Sequence, residues 1–543
     1  MSLPPQFRGS FRTDQRARAA YAEGAGIYRI VPQAVAVPAD LDDLRLLVRW
    51  AAARREPLIA RGAGTALTGA NVGDGTVVDL TAMQPRRLEI HPENRTALTS
   101  ANVSVAELND AAAAHGLRMP PEPSSRKWAT LGGMVATNAA GARTVRYGSV
   151  RPWVRALEIV TADGEIGWIR RGGGADEPIA ALKRFRREAE PAIHAVSSLI
   201  HERFPAVRKN ASGYALDAFL NSGDVVDLFV GAEGTLGFIT TIEWALDPIP
   251  PAHAALRVAL DDLGSLGQAV PALLRLDPSA VELLDRTFLD LVAGARGRSA
   301  LPGVPPSAQA ILLVEFERSS DAALRGAVGD AVRAMGPLAS DILTALSPQE
   351  EEQLWALRHA ASPILAGLSE RRRSMQVIED GCVPIARLGE YVACIRGAAA
   401  KRGLQVVIFG HAGDANIHVN LLTDLERSDW QAQVTGLFEE VSEEVLRLGG
   451  VPSGEHGDGR LRAGLLERLY GAEIVDLFLI LRRAFDPSGL LNPGIITAPD
   501  GPPVSRLKVG AEAVALPADI EAGLREIERS GGYARNRLEL ADE

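Results

Sequence analysis

"PPEPSSRKWATLGGMVATNAAGARTVRYGSV", residues 120–150, is built from Gly, Ala, Ser, Thr and Asn, with few large apolar side chains. Small side chains let backbone approach a ligand closely. A loop this long inside a compact domain usually serves function. The stretch therefore reads as the lining of a bound group rather than as core.

Two other segments share that character. "PLIARGAGTALTGANVGDGTVVDLT" (57–81) places Gly62, Gly64 and Gly69 after an apolar strand. It is not a Walker loop, which needs Lys and Ser/Thr after its last glycine; Ala70 and Asn71 follow here. It is not a Rossmann fingerprint either, because the spacing differs and a strand follows. On its own residues it reads either as a backbone nest aimed at a diphosphate or as an ordinary glycine-rich connection. "GAEGTLGFIT" (231–240) again sets Gly beside Thr235 ahead of a strand.

Around these loops the pattern alternates. "AVAVPADLDDLRLLVRWAAARREPLIARGAGT" predicts strand, helix, strand. "GTVVDLTAM" and "RTALTSANVSV" predict strands, and "AELNDAAAAHG" a helix ending at Gly116. "ALEIVTADGEIGWIRR" predicts a hairpin at Asp163-Gly164. The Pro-rich "LDPIPPAHA" (246–254) marks a boundary. Beyond it, "AILLVEFER", "LQVVIFG" and "ANIHVNLL" predict further strands. A helical stretch follows in "LLERLYGAEIVDLFLILRRAFDP".

The totals exclude several classes. Lys+Arg is 58 against Asp+Glu 68, a net charge of -10, which disfavours nucleic acid as the main partner. The basic run 183–188 reads as a solvated helix face. Cys382 and Cys394 are the two cysteines, without a CxxC, so neither a Cys-based zinc site nor an iron–sulfur cluster can be built from them. No signal-peptide core and no 18-residue apolar run is visible, so no membrane span is expected. A cytoplasmic protein, at most peripheral to the inner membrane, is the expectation.

Two segments concentrate chemistry. "GHAGDANIHV" (410–419) holds His411 and His418; "SGEHGDGRLR" (453–462) holds Glu455 and His456. The chain has 9 histidines in all. Imidazole and carboxylate together suit a divalent metal such as zinc. On an unbroken strand His411 and His418 would face opposite ways, but Gly413-Asp414 allows a turn. The competing reading is four unrelated polar residues in two glycine turns.

"ATLGGMVATNAAG", "RYGSVRPWV", "GAEGTLGFIT" and "FDPSGLLNPG", in this order and spacing, closely resemble the vanillyl-alcohol-oxidase family. The resemblance is to its D-2-hydroxyacid dehydrogenases and spans roughly residues 30 to 497. It implies an α+β fold. An N-terminal segment (1–29) precedes a PCMH-type two-subdomain FAD-binding domain (30–248). An α+β cap domain with an antiparallel sheet (249–460) carries the metal site and the substrate. A C-terminal helical segment (461–500) returns to the FAD domain, and a tail (501–543) follows.

By the same resemblance the FAD pyrophosphate lies on Arg61, Gly62, Ala63, Gly64, Thr65, Ala66, Thr68, Gly69 and Ala70. Pro121, Ser124, Thr130, Gly132, Gly133, Thr137, Asn138, Gly141 and Tyr147 line the flavin and its arms. Glu233, Gly234, Gly237 and Asn492 complete the pocket. "ARGAGTALTGA" has no His or Cys, so the FAD is expected to be non-covalent. His411, His418 and Glu455 bind the metal, expected to be zinc, and His456 is the base. Arg358, in "LWALRHAAS", pairs with the substrate carboxylate, with Asn210 and Tyr214 as weaker candidates nearby.

The implied reaction is oxidation of a D-2-hydroxy acid to the 2-oxo acid. The C2 hydride goes to flavin N5, and the electrons pass to an acceptor other than NAD. The rivals are a flavin oxidase using oxygen directly, an alkyl-dihydroxyacetonephosphate-synthase-like transferase, and a flavin-free metal hydrolase. The synthase carries a histidine run where Glu455-His456 stands. Relatives preferring 2-hydroxyglutarate carry Lys near Ile378, and the family often has Lys at Ile495. The tail resembles a linker to a ferredoxin-like domain, with "GGYAR" (531–535) near its start. No cysteine follows Cys394, so an iron–sulfur cluster domain is expected either to sit on a separate partner protein, the favoured reading, or to be replaced by a diffusible acceptor such as a quinone or an electron-transfer protein. The resemblance also allows a homodimer.

Overall fold

The computed structural model describes residues 6–175, 179–301, 303–368, 371–497, 499, 501–533 and 536–542. A four-stranded sheet is ordered Ser10–Arg12, Ala34–Val37, Thr76–Asp79, Leu58–Arg61. Its last two pairings are parallel. The crossover is the expected helix, Leu41–Arg54. Asp40 caps it through the Asp43 amide, and Asp42 and Asp43 sit in the first turn, where negative charge suits the helix dipole. Leu44, Leu47, Val48 and Ala51 recur at helical spacing and are buried.

A six-stranded antiparallel sheet runs Gly174–Ala175, Ile166–Arg170, Val154–Val160, Phe238–Ala245, Thr96–Ser100, Leu88–His91. The hairpin at Asp163-Gly164 forms as read, with Gly164 at φ +67. Ser104 and Glu107 make a capping box for the helix Val105–Ala113. Lys183, Arg186 and Arg187 of the basic run are exposed, as a solvated face requires.

Between residues 246 and 254 the chain changes sheet. Asp247–Pro248 still pairs with Leu117–Arg118, whereas Ala252–Leu260 enters an eight-stranded antiparallel sheet. That sheet runs Asp341–Ala345, Ala252–Leu260, Ala310–Arg318, Ala280–Asp285, Gln405–His411, Asn416–Asp424, Arg372–Met375, with Gly381–Cys382 also paired to Asn416–Asp424. The helix Ala472–Phe485 then returns to the six-stranded sheet, where Phe478 and Phe485 pack beside Tyr214 and Phe229.

The tail packs onto the N-terminal segment and the four-stranded sheet. Its helices Ala518–Ser530 and Arg537–Asp542 bury Ile520, Leu524, Ile527, Leu538 and Leu540 against Ala17, Ala20, Tyr21, Val35 and Ile59. The apolar stripe is about one residue per turn in an otherwise charged sequence. Ion pairs fasten it: Arg525 meets Glu23, and Arg29 reaches both Glu23 (2.6 Å) and Glu521 (2.5 Å). Of the "GGYAR" stretch, Ala534 and Arg535 lie outside the described residues. Among the described residues no helix is long and apolar enough to cross a membrane.

Candidate active site

One cavity of about 1050 Å³ is lined by both the glycine-rich loops and the histidine segments. That volume is at the upper end for small-molecule sites, roughly 300–1,000 Å³. Of the predicted cofactor residues, Arg61, Gly62, Ala63, Gly64, Thr65, Ala66, Ala70, Ser124, Thr130, Gly132, Gly133, Thr137, Gly141, Glu233, Gly234 and Gly237 line it.

Close backbone approach explains the glycines. A Cβ on Gly62 would lie 2.3 Å from Thr130 Oγ1, and one on Gly132 2.7 Å from the Ala101 Cβ. Arg61 is fully buried and turns its guanidinium onto the carbonyls of Tyr21, Asn71 and Glu23, which stiffens the loop. Asn71 also lines the cavity, and neither polar atom of its side chain has a hydrogen-bond partner. A buried, unpaired amide beside a small-residue cradle fits a polar ligand such as FAD.

The other predicted residues lie behind the wall. Thr68, Gly69, Pro121, Asn138, Tyr147 and Asn492 do not line the cavity. Asn492 donates to the carbonyls of Ala70 and Glu233, both at 2.8 Å, and so ties two cradle loops together. The Tyr147 hydroxyl is engaged with Glu317 and Arg118. Asn210 pairs with the Tyr470 hydroxyl at 3.1 Å, and the Tyr214 hydroxyl with Thr235 at 2.6 Å. Neither reaches the cavity.

The histidine segments do converge. Gln405–His411 and Asn416–Asp424 form a hairpin closed by Ala412–Asp414, with Ala415 at φ +53. His411 pairs with Asn416 and His418 with Phe409, so both imidazoles share one face of the sheet. Their ring centres are 4.9 Å apart. Glu455 Oε1 lies 3.0 Å from His411 Nε2 and 3.3 Å from His418 Nε2. The backbone turn that lets Glu455 and His456 both contribute is held by Asp380, whose carboxylate accepts both amides.

The tautomers follow from the outer partners. His418 Nδ1 meets the Glu379 carbonyl at 2.8 Å, and His411 Nδ1 meets Glu282 Oε1 at 2.5 Å. Each Nδ1 therefore carries its proton outward and turns Nε2 toward Glu455. Two imidazole nitrogens and one carboxylate oxygen aimed at one point, each with an outer partner, are a donor set that fits a divalent metal.

Burial pushes the Glu455 carboxyl up, but Lys209 and His411 outweigh it and hold Glu455 well below the usual range. Burial opposes charge on His456, yet Glu379 and Asp380 lift it to about 10. Its Nδ1 contacts Glu379, which Arg462 clamps from the far side. Nε2 is left facing Glu455 Oε1 at 3.9 Å. Arg358 lines the cavity with Nε held by Glu282 at 2.7 Å and its guanidinium over the Phe409 ring. Among the described residues neither of its Nη groups is engaged.

Sequence reasoning missed Lys209, Glu282, Glu379, Asp380 and Asn71. A signal existed for some of them. Glu282 interrupts the apolar strand "AVELLD", all of it buried. Glu379-Asp380 is an acidic pair in an otherwise apolar stretch.

Comparison with known proteins identifies the family of the chain. Residues 32–170 match the FAD binding domain family, and residues 249–496 match the C-terminal domain of FAD linked oxidases. The glycolate oxidase subunit GlcD of Bacillus subtilis (strain 168) is 31% identical, with 89% of this chain and 92% of that protein covered. A D-2-hydroxyglutarate dehydrogenase of Escherichia coli (strain K12) is 27% identical over 93% of this chain but 52% of its own length. Among solved structures, the 4-ethylphenol oxidase of Gulosibacter chungangensis aligns with a TM-score of 0.65 at 15% identity, covering 90% of this chain and 94% of that one. That likeness shows the shared fold.

Proposed function

The chain belongs to the family of FAD linked oxidases and is an FAD-dependent oxidoreductase; on that premise we propose that it oxidises a D-2-hydroxy acid to the 2-oxo acid, with a divalent metal at His411, His418 and Glu455 and with His456 as base. Zinc suits that donor set. One observation carries the reading: a single cavity joins the Gly62–Ala66 cradle to His411, His418, Glu455, His456 and Arg358.

Arg358 offers its two Nη groups to the substrate carboxylate, a bidentate match, while Glu282 fixes the guanidinium plane. Glu282 also fixes His411, so one carboxylate sets both the anion clamp and a metal ligand. His456 takes the hydroxyl proton at Nε2, and Glu379 holds the ring in place through Nδ1. That role needs the neutral ring, so the lift to about 10 from Glu379 and Asp380 would have to be offset by the charge of a divalent metal held at Glu455. When bound, the metal supplies Lewis acidity at the hydroxyl oxygen and FAD supplies the acceptor for the two electrons leaving with the C2 hydrogen. Reoxidation falls to a carrier other than NAD, on a separate protein or in solution.

Anaerobic mixing of the FAD-loaded protein with D and L pairs of 2-hydroxy acids tests the reading. Loss of flavin absorbance with the D forms, and not the L forms, is expected. Unchanged absorbance across the whole panel would overturn it.

A further inference from the structure

The helix Pro348–His359 presents more than Arg358. Trp355, Arg358 and His359 stand three and four positions apart, on one face, and all three line the cavity. Trp355 and His359 are stacked, with ring centres 6.1 Å apart and planes 25° off parallel. Burial and the Arg358 charge hold His359 below the ordinary histidine value, so the ring is neutral at neutral pH. Phe409 lies under the Arg358 guanidinium at 4.7 Å and beside His418 at 5.8 Å, which joins this wall to the histidine cluster. Leu365 also lines the cavity, on the segment that follows the helix.

The facing strand carries neutral amides. Asn420 stands two residues beyond His418 on the same sheet face, and Gln376 donates to it at 3.3 Å. Arg358 is the cation on this helix face, and the substrate's own carboxylate occupies it; Lys127, Arg143 and Arg529 also line the cavity, Arg143 being paired with Glu315 at 2.7 Å. Arg126 is the next cation acting on His359, and it is paired with Glu122 at 2.7 Å. A second substrate carboxylate lying on this platform would meet aromatic rings and neutral amides, while Glu122 is matched by Arg126 and by Arg143 at 3.6 Å.

We propose that this chamber selects 2-hydroxy acids with a large uncharged side chain, aryl or branched aliphatic, which lies on the Trp355–His359 platform. The inference rests on the 2-hydroxy-acid reading above. It adds that glycolate and lactate are too small to fill the chamber and that a second carboxylate gains no cationic partner on the platform.

The test is anaerobic flavin reduction by the FAD-loaded protein with four D substrates: lactate, 2-hydroxyglutarate, 3-phenyllactate and 2-hydroxy-4-methylpentanoate. Burying the larger side chain is expected to raise the second-order reduction constant about ten- to a hundredfold over lactate. 2-Hydroxyglutarate is expected to be the slowest. Trp355→Ala should narrow the phenyllactate-to-lactate ratio about tenfold, with an unchanged flavin spectrum reporting an intact fold. Lactate or 2-hydroxyglutarate as the best substrate overturns the inference and leaves the 2-hydroxy-acid reading standing. Reduction by none of the four overturns both. A wild-type ranking as expected, with a ratio unmoved by Trp355→Ala, removes the platform and overturns the proposed basis.

Discussion

Lys209 Nζ lies 2.7 Å from Glu455 Oε2, and both side chains are buried. The lysine comes from the FAD-binding half and the glutamate from the histidine cluster, so this one contact ties the two sides of the cavity together. Burial disfavours the ammonium, but Glu455 and Asp414 outweigh it and raise the Lys209 pKa. Lys209→Met leaves Glu455 charged without that partner, a loss of about 3–5 kcal/mol for a buried pair. A metal ion on the same carboxylate offsets part of it. The melting temperature should fall in chelator and recover partly with added zinc. A melt indifferent to zinc would detach Glu455 from the metal site.

His411→Ala and Glu455→Ala each remove one of three converging donors. Both variants should lose bound metal in elemental analysis while keeping the flavin absorbance, because the small-residue cradle is built from other loops. Undiminished metal content would show that the ligands lie elsewhere.

His456→Asn keeps a polar group near Glu379 but removes the proton acceptor. Flavin reduction by substrate should slow by about two to four orders of magnitude. Dithionite should still reduce the flavin normally. Near-normal reduction by substrate would move the base to another residue.

Asp458 links stability to pH. Burial pushes its carboxyl from 3.8 up to about 6. A folded-state pKa above the unfolded one means the folded form holds the proton more tightly. Its contribution is therefore fully present below about pH 4 and is lost as pH rises through about 6. Asp458→Asn should remove that slope and raise the melting temperature at pH 7 relative to the parent. A parallel offset of the two curves, with the slope retained, would assign the titration to another group.

Much of this site was legible before the structure. The Gly/Ala/Thr composition of residues 120–150 pointed to a loop lining a bound group; its Ser124, Thr130, Gly132, Gly133, Thr137 and Gly141 line the cavity, and Gly132 is packed against Ala101. The convergence of His411 and His418 could be argued from the Gly413-Asp414 turn. What escaped were the outer partners. Lys209 and Glu282 meet the cluster from segments 246 and 129 residues away from their partners. Nothing in local periodicity encodes such pairings. Asn210 and Tyr214 share a segment with Lys209, which meets Glu455, and neither of the two lines the cavity.

The tail offers the last prediction. It resembles a linker to a ferredoxin-like domain. Its residues Glu528, Arg529, Ser530, Gly531 and Tyr533 line the cavity, opposite Trp128. Tyr533 packs edge-on to Trp128 with ring centres 6.4 Å apart, and a Cβ on Gly531 would meet that indole at 2.6 Å. Behind this wall, Ile520, Leu524 and Ile527 seal the four-stranded sheet that leads into the glycine-rich loop. Shortening the chain after residue 516 should therefore expose apolar surface on Tyr21 and Val35 and open the cavity together. The expected outcome is a lower melting temperature and faster release of FAD on dilution, followed by flavin fluorescence. Leu524→Asp should do the same in the full-length chain, since it breaks the packing without removing the wall residues. If the shortened protein retains FAD and melts as the parent does, the tail is an appended element with no part in the cavity.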